Sequence, residues 1–283
     1  MNDTEITVEE LAQIGETLLG RAGVPTINFQ TPFDEALHLT RHALGYPAEV
    51  EGRVSLAQTA RALDLFERRI TTRVPSAYLT EEAPFGAHRF YVKSSVMAPR
   101  PSMSPFLASV VDTVVWSNER ALDLGTGSGC IGITLALMRP SLHVDLADIS
   151  PEALEVARVN VDKFQLSDRV RCFESDLFSG VTKPYSLVVS NPPYLSSYRY
   201  ERYSAEEVRK EPRIAFDGGG DGLELVAKII EQAPNHLAPG GTLMMDVGRL
   251  GEHLLPKRFP HLRFKWLSHE VGGTPGIFTL SPV

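Results

Sequence analysis

The sequence predicts an α/β protein, a doubly wound and largely parallel sheet preceded by a small helical region. Three observations carry that expectation. Apolar runs near Ala121, Val144, Val170, Leu187 and Leu243 alternate with helical patterns, as a parallel sheet with crossover helices requires. The first run ends in a glycine-rich turn, Gly125-Thr126-Gly127-Ser128-Gly129, and passes straight into an apolar helical stripe at Ile131, Leu135 and Met138. Up to about Val74, by contrast, the apolar spacing is helical.

The elements come in this order. Leu11, Ile14 and Leu18 mark a first helix. Thr31-Pro32 starts a second, with Asp34 at its third helical position, and Ser55 with Gln58 forms a capping box ahead of Leu56, Leu63, Phe66 and Ile70. From Phe85 to Ala98, aromatic and β-branched residues with Gly86 and a turn at Ser94-Ser95 suggest a hairpin; Pro99, Pro101 and Pro105 stiffen the entry to the larger domain. The expected division is therefore a helical domain at 1–84, a hairpin linker at 85–105 and a larger domain at 106–283. Residues 264–267 and 276–280 are expected to close the sheet as two antiparallel strands. Between Tyr194 and Leu223 lies a tyrosine- and charge-rich insertion, long for a βα connection, which fits either a substrate grip or a helical decoration of the rim.

Composition narrows the function classes. A chain of 283 residues with 43% hydrophobic and 22% charged content can bury a full core. No apolar run approaches a membrane span, and the start Met1-Asn2-Asp3-Thr4-Glu5 is acidic where a signal peptide is basic, so a cytoplasmic location and no membrane partner are expected. Cys130 and Cys172 both sit in apolar settings and read as reduced core thiols rather than a disulfide or metal site. A net charge of −7 argues against strong nucleic-acid binding, and Arg199, Arg202 and Arg209 are interleaved with Glu201, Glu206 and Glu207 as on a solvated helix face.

Chemistry concentrates at the predicted strand ends. Asn191-Pro192-Pro193-Tyr194 comes after the buried strand Ser186 to Ser190, hence lies at the carboxyl edge where such sheets bind ligands. The Asn191 side-chain oxygen and the Pro192 carbonyl could accept both donors of a planar NH2 group, with Tyr194 walling one face. The same four residues also serve as ordinary loop punctuation. The glycine turn is of nucleotide-binding type: its backbone N–H groups and the helix behind it suit close approach of an anionic ligand. Its Gly-x-Gly-x-Gly spacing, with Asp123 two residues ahead, differs from the dinucleotide fingerprint and resembles motif I of S-adenosylmethionine-dependent methyltransferases. Asp148, at the end of the next strand and ahead of the Ser150-Pro151 helix start, can take both ribose hydroxyls or simply complement the helix dipole.

Taken with Asp176, these segments occur in the order shown by the glutamine N(5)-methyltransferases that modify release factors and a large-subunit ribosomal protein. The resemblance extends to Arg73 through Thr80, Phe90 to Val92, Ala98 to Pro101, Glu211-Pro212 and Gly219 to Leu223, so it covers most of the chain. The Tyr78 context, Thr31 to Ala36 and Phe264 to Leu267 look more like the ribosomal-protein branch. It implies a seven-stranded class I methyltransferase fold, S-adenosyl-L-methionine as cofactor and a protein glutamine as acceptor. It also implies that Asp176 meets the adenine amine, that Leu177 and Phe178 seat the ring, and that Pro99 and Arg100 lie beside the cofactor. Two places depart from the branch pattern: no acid comes after Arg100 in the Pro101-to-Phe106 segment, and Asp246-Val247-Gly248-Arg249 replaces a Glu-Val-Gly-Asn run. N-methylation of a small amine or amide remains open beside the ribosomal protein. Methylation of adenine in DNA, whose enzymes grip a flipped base with a similar motif, fits the charge poorly.

Overall fold

The structure, a computed structural model, describes residues 6–45, 52–267 and 275–281. The acidic segment 1–5 read above lies outside them. In chain order, the first part comprises β1 (Ile6–Thr7), α1 (Val8–Arg21), α2 (Pro32–Leu44), β2 (Arg53–Val54), α3 (Leu56–Thr72) and α4 (Ser76–Thr80). Each of the first three helices opens on a complete capping box: Thr7 with Glu10, Thr31 with Asp34, and Ser55 with Gln58. An N-cap of this kind contributes about 1 kcal/mol, which helps short helices form before they pack.

Helices α1 to α3 share a core of Val8, Leu11, Leu19, Ala36, Leu39, Leu65 and Phe66. The buried stripe of α1 is Val8, Leu11, Ala12, Gly15 and Leu19, and Ile14, expected inside, is 43% exposed. Gly15 explains the rotation. A Cβ on it would lie 2.3 Å from Phe66 Cζ, so the glycine face is where α3 inserts its aromatic ring. Under this core runs a buried polar network. Arg69 Nε donates to Glu35 Oε1 at 2.8 Å, Ser76 Oγ donates to the same oxygen at 2.6 Å, and Arg69 Nη2 donates to the Pro25 carbonyl at 3.1 Å.

His38, on α2, is nearly enclosed. Arg89 Nη1 lies 3.2 Å from its Nδ1, and a guanidinium has only donors, so Nδ1 must be the acceptor. The proton then sits on Nε2, 2.8 Å from Thr80 Oγ1. Burial first, and then the charges of Arg89 and His42, hold its pKa down at about 3.

The hairpin is β3 (Glu82–Phe85) with β4 (His88–Tyr91), turning at Gly86 with φ +59°. It thus starts earlier than the sequence suggested, and Ser94-Ser95 forms a separate turn after it. Its edge is held by Asn160 of α7 (Pro151–Lys163), whose Oδ1 accepts from the Tyr91 N–H at 2.7 Å. The Asn160 Nδ2 donates both to the Tyr91 carbonyl at 2.9 Å and to the Ser128 carbonyl at 2.8 Å.

The second part adds α5 (Ser104–Thr113), β5 (Arg120–Leu124), α6 (Cys130–Met138), β6 (His143–Asp148), α7, β7 (Val170–Glu174), β8 (Tyr185–Ser190), α8 (Ser197–Tyr203), α9 (Glu224–Gln232), β9 (Leu237–Asp246), α10 (Gly248–Arg258), β10 (Lys265–Trp266) and β11 (Ile277–Leu280). They build a seven-stranded sheet in the order β10-β11-β9-β8-β5-β6-β7. Strands β5 to β9 are parallel and the last two antiparallel, as expected for residues 264–267 and 276–280. Every residue of β8 is buried, which is why it reads as a continuous apolar run rather than an alternation. Because β5 lies between β6 and β8, the winding reverses there, and a crevice opens at the carboxyl ends of those strands. Cys130 and Cys172 are free thiols. Among the described residues no helix is long and apolar enough to cross a membrane.

Candidate active site

The crevice at the switch point holds a cavity lined by Gly125 to Ser128 after β5, Asp148 to Ser150 after β6, Ser175 to Leu177 after β7, and Ser190 to Pro193 after β8. The linker closes it with Val96, Met97, Pro99 and Arg100. Gly125 and Gly127 have φ +70° and +56°, and a Cβ built on either meets nothing within 4 Å, so bare backbone faces open space. The expected donors are not free, however. The N–H groups of Gly125 and Thr126 both reach the Ala147 carbonyl, at 2.8 and 3.0 Å, and the Gly127 N–H reaches Asp148 Oδ2 at 2.8 Å. The loop therefore presents bare backbone to the cavity, with its first three amides consumed in tying β5 to β6.

Asp148 thus holds the loop as well as the wall; its other oxygen accepts from the Ser150 N–H at 3.0 Å. Each carboxylate oxygen keeps a second lone pair for a ligand hydroxyl. Burial raises the Asp148 pKa, opposed by those backbone donors. Asp176 is exposed on the cavity wall beside Leu177, which takes a left-handed φ of +48°. Phe178 does not join them: it is 3% exposed and stacks on His236 with ring centroids 4.5 Å apart.

Asp123 and Gly129 stand behind the cavity rather than in its wall. Asp123 is fully buried, and its Oδ2 accepts from Thr126 Oγ1 at 2.7 Å and from the Gly132 N–H at 2.9 Å. Burial pushes its pKa up to about 6. Gly129 has φ +82° at the start of α6, where a Cβ would press on Ile133 Cδ1 at 3.0 Å. Both residues shape the loop from below.

A second cavity adjoins the first. Its lining includes Ile27, Ser102, Tyr194, Leu195, Arg199, Val208 and Phe216, and it shares Met97, Arg100, Asn191, Pro192 and Ala215 with the first. Asn191 and Pro192 therefore form part of the partition between two chambers. Among the described residues neither the Asn191 side chain nor the Pro192 carbonyl has a hydrogen-bond partner. The Tyr194 ring lies so close to Gly248 that a Cβ there would come within 2.9 Å of Cε2. Burial, and then the Asp246 charge, raises the Tyr194 pKa and keeps the phenol protonated.

The insertion is ordered around this partition. The Leu195 N–H donates to the Phe216 carbonyl at 2.9 Å and the Gly218 N–H to the Leu195 carbonyl at 2.8 Å, closing its two ends. Glu211, 4% exposed, accepts from the Ala98 N–H at 2.8 Å and pairs with Arg100. Glu207, 2% exposed, lies 3.6 Å from Arg69 and 3.5 Å from Arg73 of the helical region. The sequence placed Glu207 on a solvated helix face, which its burial contradicts, and gave no role to Glu211 beyond a family-like segment or to Asn160, because each acts on a segment far away in the chain. The two departures from the family pattern also meet in space: Ser102 Oγ donates to Asp246 Oδ2 at 2.9 Å.

Comparison with known proteins agrees with this geometry. A family model described as "Methyltransferase small domain" matches residues 102–221. A crystal structure of the hMettl16 catalytic domain in complex with MAT2A 3'UTR hairpin 1 shares the fold, with TM-score 0.56 at 16% identity over 86% of this chain and 91% of that one. Nearer in sequence are two proteins named ribosomal protein uL3 glutamine methyltransferase. That of Bordetella pertussis is 38% identical over 83% of this chain and 81% of its own length. That of Bradyrhizobium diazoefficiens is 41% identical over 83% and 76%. Identity of that extent, on a class I methyltransferase sheet whose two chambers meet at Asn191 and Pro192, places this chain in the ribosomal protein uL3 glutamine methyltransferase family.

Proposed function

We propose that this chain methylates the side-chain amide nitrogen of a glutamine in the large-subunit ribosomal protein uL3. The observation that carries the reading is the Asn191 carboxamide and Pro192 carbonyl, unpaired among the described residues, in the partition between two chambers. When bound in the first chamber, S-adenosylmethionine supplies an electrophilic methyl group. The residues that would hold it are Gly125 to Ser128, Asp148, Asp176, Leu177 and Arg100, and bare glycine backbone with two carboxylates suits its adenosine part.

The chain's own contribution is positional. Asn191 Oδ1 and the Pro192 carbonyl accept the two N–H bonds of the acceptor amide, fixing its plane so that the nitrogen lone pair faces the first chamber. A primary amide is a weak nucleophile because that lone pair is delocalised. Carbonyl dipoles aimed at the nitrogen favour the positive charge that develops as the bond forms, and Tyr194 keeps water from one face. No general base is needed beforehand. The proton is lost to water once the nitrogen has become strongly acidic, and Tyr194, held protonated, is not a base. Residues 1–84 serve acceptor recognition, 85–105 the linkage and 106–283 catalysis, in the cytoplasm and without strong contact to nucleic acid.

The test is incubation with methyl-labelled S-adenosylmethionine and lysate from a strain lacking the gene. Label in a single large-subunit protein, mapping to glutamine, is expected. Label confined to small molecules would overturn the protein acceptor and favour a small amide or amine.

A further inference from the structure

We propose that Glu211 is a positioning residue that fixes the Arg100 guanidinium at the junction of the two chambers and cancels its charge, so that the junction admits a cationic methyl donor. The inference rests on the functional reading above and assigns the insertion its part in it. Arg100 lines both chambers beside Asn191 and Pro192. Left alone, a guanidinium in that place would repel a sulfonium, and it cannot be relieved by losing its proton.

The geometry around Glu211 is built for the task. Its side chain is fully enclosed while that of Arg100 is 18% exposed, so the acid is the buried anchor and the base the wall. Arg100 Nη2 donates to Glu211 Oε1, and Nη1 donates to Oε2 at 3.3 Å and to the Ala98 carbonyl at 2.6 Å. The Ala98 N–H donates to Glu211 Oε2 at 2.8 Å, and the Tyr78 hydroxyl lies 3.4 Å from the same oxygen. The Phe216 ring, 5.8 Å from the guanidinium carbon, covers one face of Arg100. One carboxylate thus joins α4, the linker and the insertion beside the partition between the chambers.

The sulfonium distinguishes charge cancellation from mere bracing. S-adenosylmethionine carries one positive charge more than S-adenosylhomocysteine, with otherwise nearly the same groups. The ratio of their dissociation constants therefore reads the charge at the junction, whereas a general loosening of the fold weakens both alike. By calorimetry, Glu211→Gln is expected to weaken S-adenosylmethionine at least tenfold more than S-adenosylhomocysteine. Arg100→Gln, which leaves the carboxylate unopposed, is expected to shift the ratio the other way, and the double variant to return it to within about threefold of wild type.

If Glu211→Gln does not fold, Arg100→Gln and the double variant still decide. A wild-type ratio in Arg100→Gln, or a shift in the same direction as Glu211→Gln, overturns the proposal. A wild-type chain that binds neither compound sinks the cofactor reading and this proposal with it. Binding of both by wild type with an unmoved ratio in the variants sinks the proposal alone.

Discussion

Replacing Asn160 by alanine tests whether one buried side chain holds the glycine loop to the hairpin. Asn160 has no exposed surface, and its carboxamide satisfies the Tyr91 N–H, the Tyr91 carbonyl and the Ser128 carbonyl at 2.7, 2.9 and 2.8 Å. Alanine strands all three groups. A buried polar group without a partner costs about 1–3 kcal/mol. Tyr91 is only half-buried, so water can partly replace the lost bonds there, whereas Ser128 is 2% exposed. Taking about 1 kcal/mol for each Tyr91 group and about 2 kcal/mol for Ser128 gives a loss of about 4 kcal/mol.

Urea denaturation measures it directly: the midpoint is expected to fall with little change in slope, since the surface exposed on unfolding stays nearly the same. Because Ser128 lines the first chamber, cofactor affinity is expected to fall as well. Asn160→Asp sharpens the test. It keeps the acceptor for the Tyr91 N–H but turns a carboxylate toward two carbonyl oxygens, so it should cost at least as much as alanine. A loss below about 1 kcal/mol for Asn160→Ala, or wild-type stability for Asn160→Asp, would refute the hydrogen-bond reasoning.

Four further perturbations test other parts of the geometry. Asn191→Ala is expected to keep cofactor affinity within about twofold while lowering turnover by about 10²-fold or more, read from calorimetry and initial rates; a parallel loss of both would mean that Asn191 holds the cofactor instead. His38 titrates near 3 when folded, against an ordinary 6.5, so below pH 6.5 the unfolded chain binds a proton that the folded chain refuses. Stability is full above pH 6.5 and declines toward pH 3, by about 2 kcal/mol at pH 5, and His38→Gln should abolish that part of the acid slope. Gly132→Ala places a Cβ 2.3 Å from Leu146 Cδ2 and 3.0 Å from Asp123 Cβ, which should cost about 1–3 kcal/mol. Gly20→Ala on α1, with nothing within 4 Å, should stabilise by about 0.5–1 kcal/mol, and equal effects in thermal melts would count against the packing account.

What the sequence made legible was local. The Thr31 and Ser55 helix starts, the Gly125-to-Gly129 turn and the acids Asp148 and Asp176 at strand ends each depend on a few neighbours in the chain. Periodicity is weaker where a distant partner chooses the face. Ile14 and Gly15 are adjacent on α1, and only the approach of Phe66, far along the chain, decides that the glycine is inside. The amides of the glycine turn escape a local reading for the same reason: the Ala147 carbonyl that consumes two of them belongs to another strand.

The insertion shows the limit most clearly. Glu206 and Glu207 are chemically identical neighbours in a stretch that reads as a solvated charged face, yet the side chain of the first is 61% exposed and that of the second 3%. Their difference comes from Arg69, which is wholly buried and already shares one carboxylate, Glu35, at 2.8 Å. A second carboxylate at 3.6 Å brings the arginine within reach of an acid from the opposite part of the chain, and Arg73 at 3.5 Å adds a second cation. Such a cluster gains little over an apolar contact of the same volume, but losing one member leaves an uncompensated buried charge. It therefore favours one placement of the insertion over others more than it favours folding. Four residues on, Glu211 repeats the arrangement with Arg100 at the chamber partition. The insertion is thus fastened at two charged points, one to the helical region and one to the linker, and Val208 between them lines the second chamber.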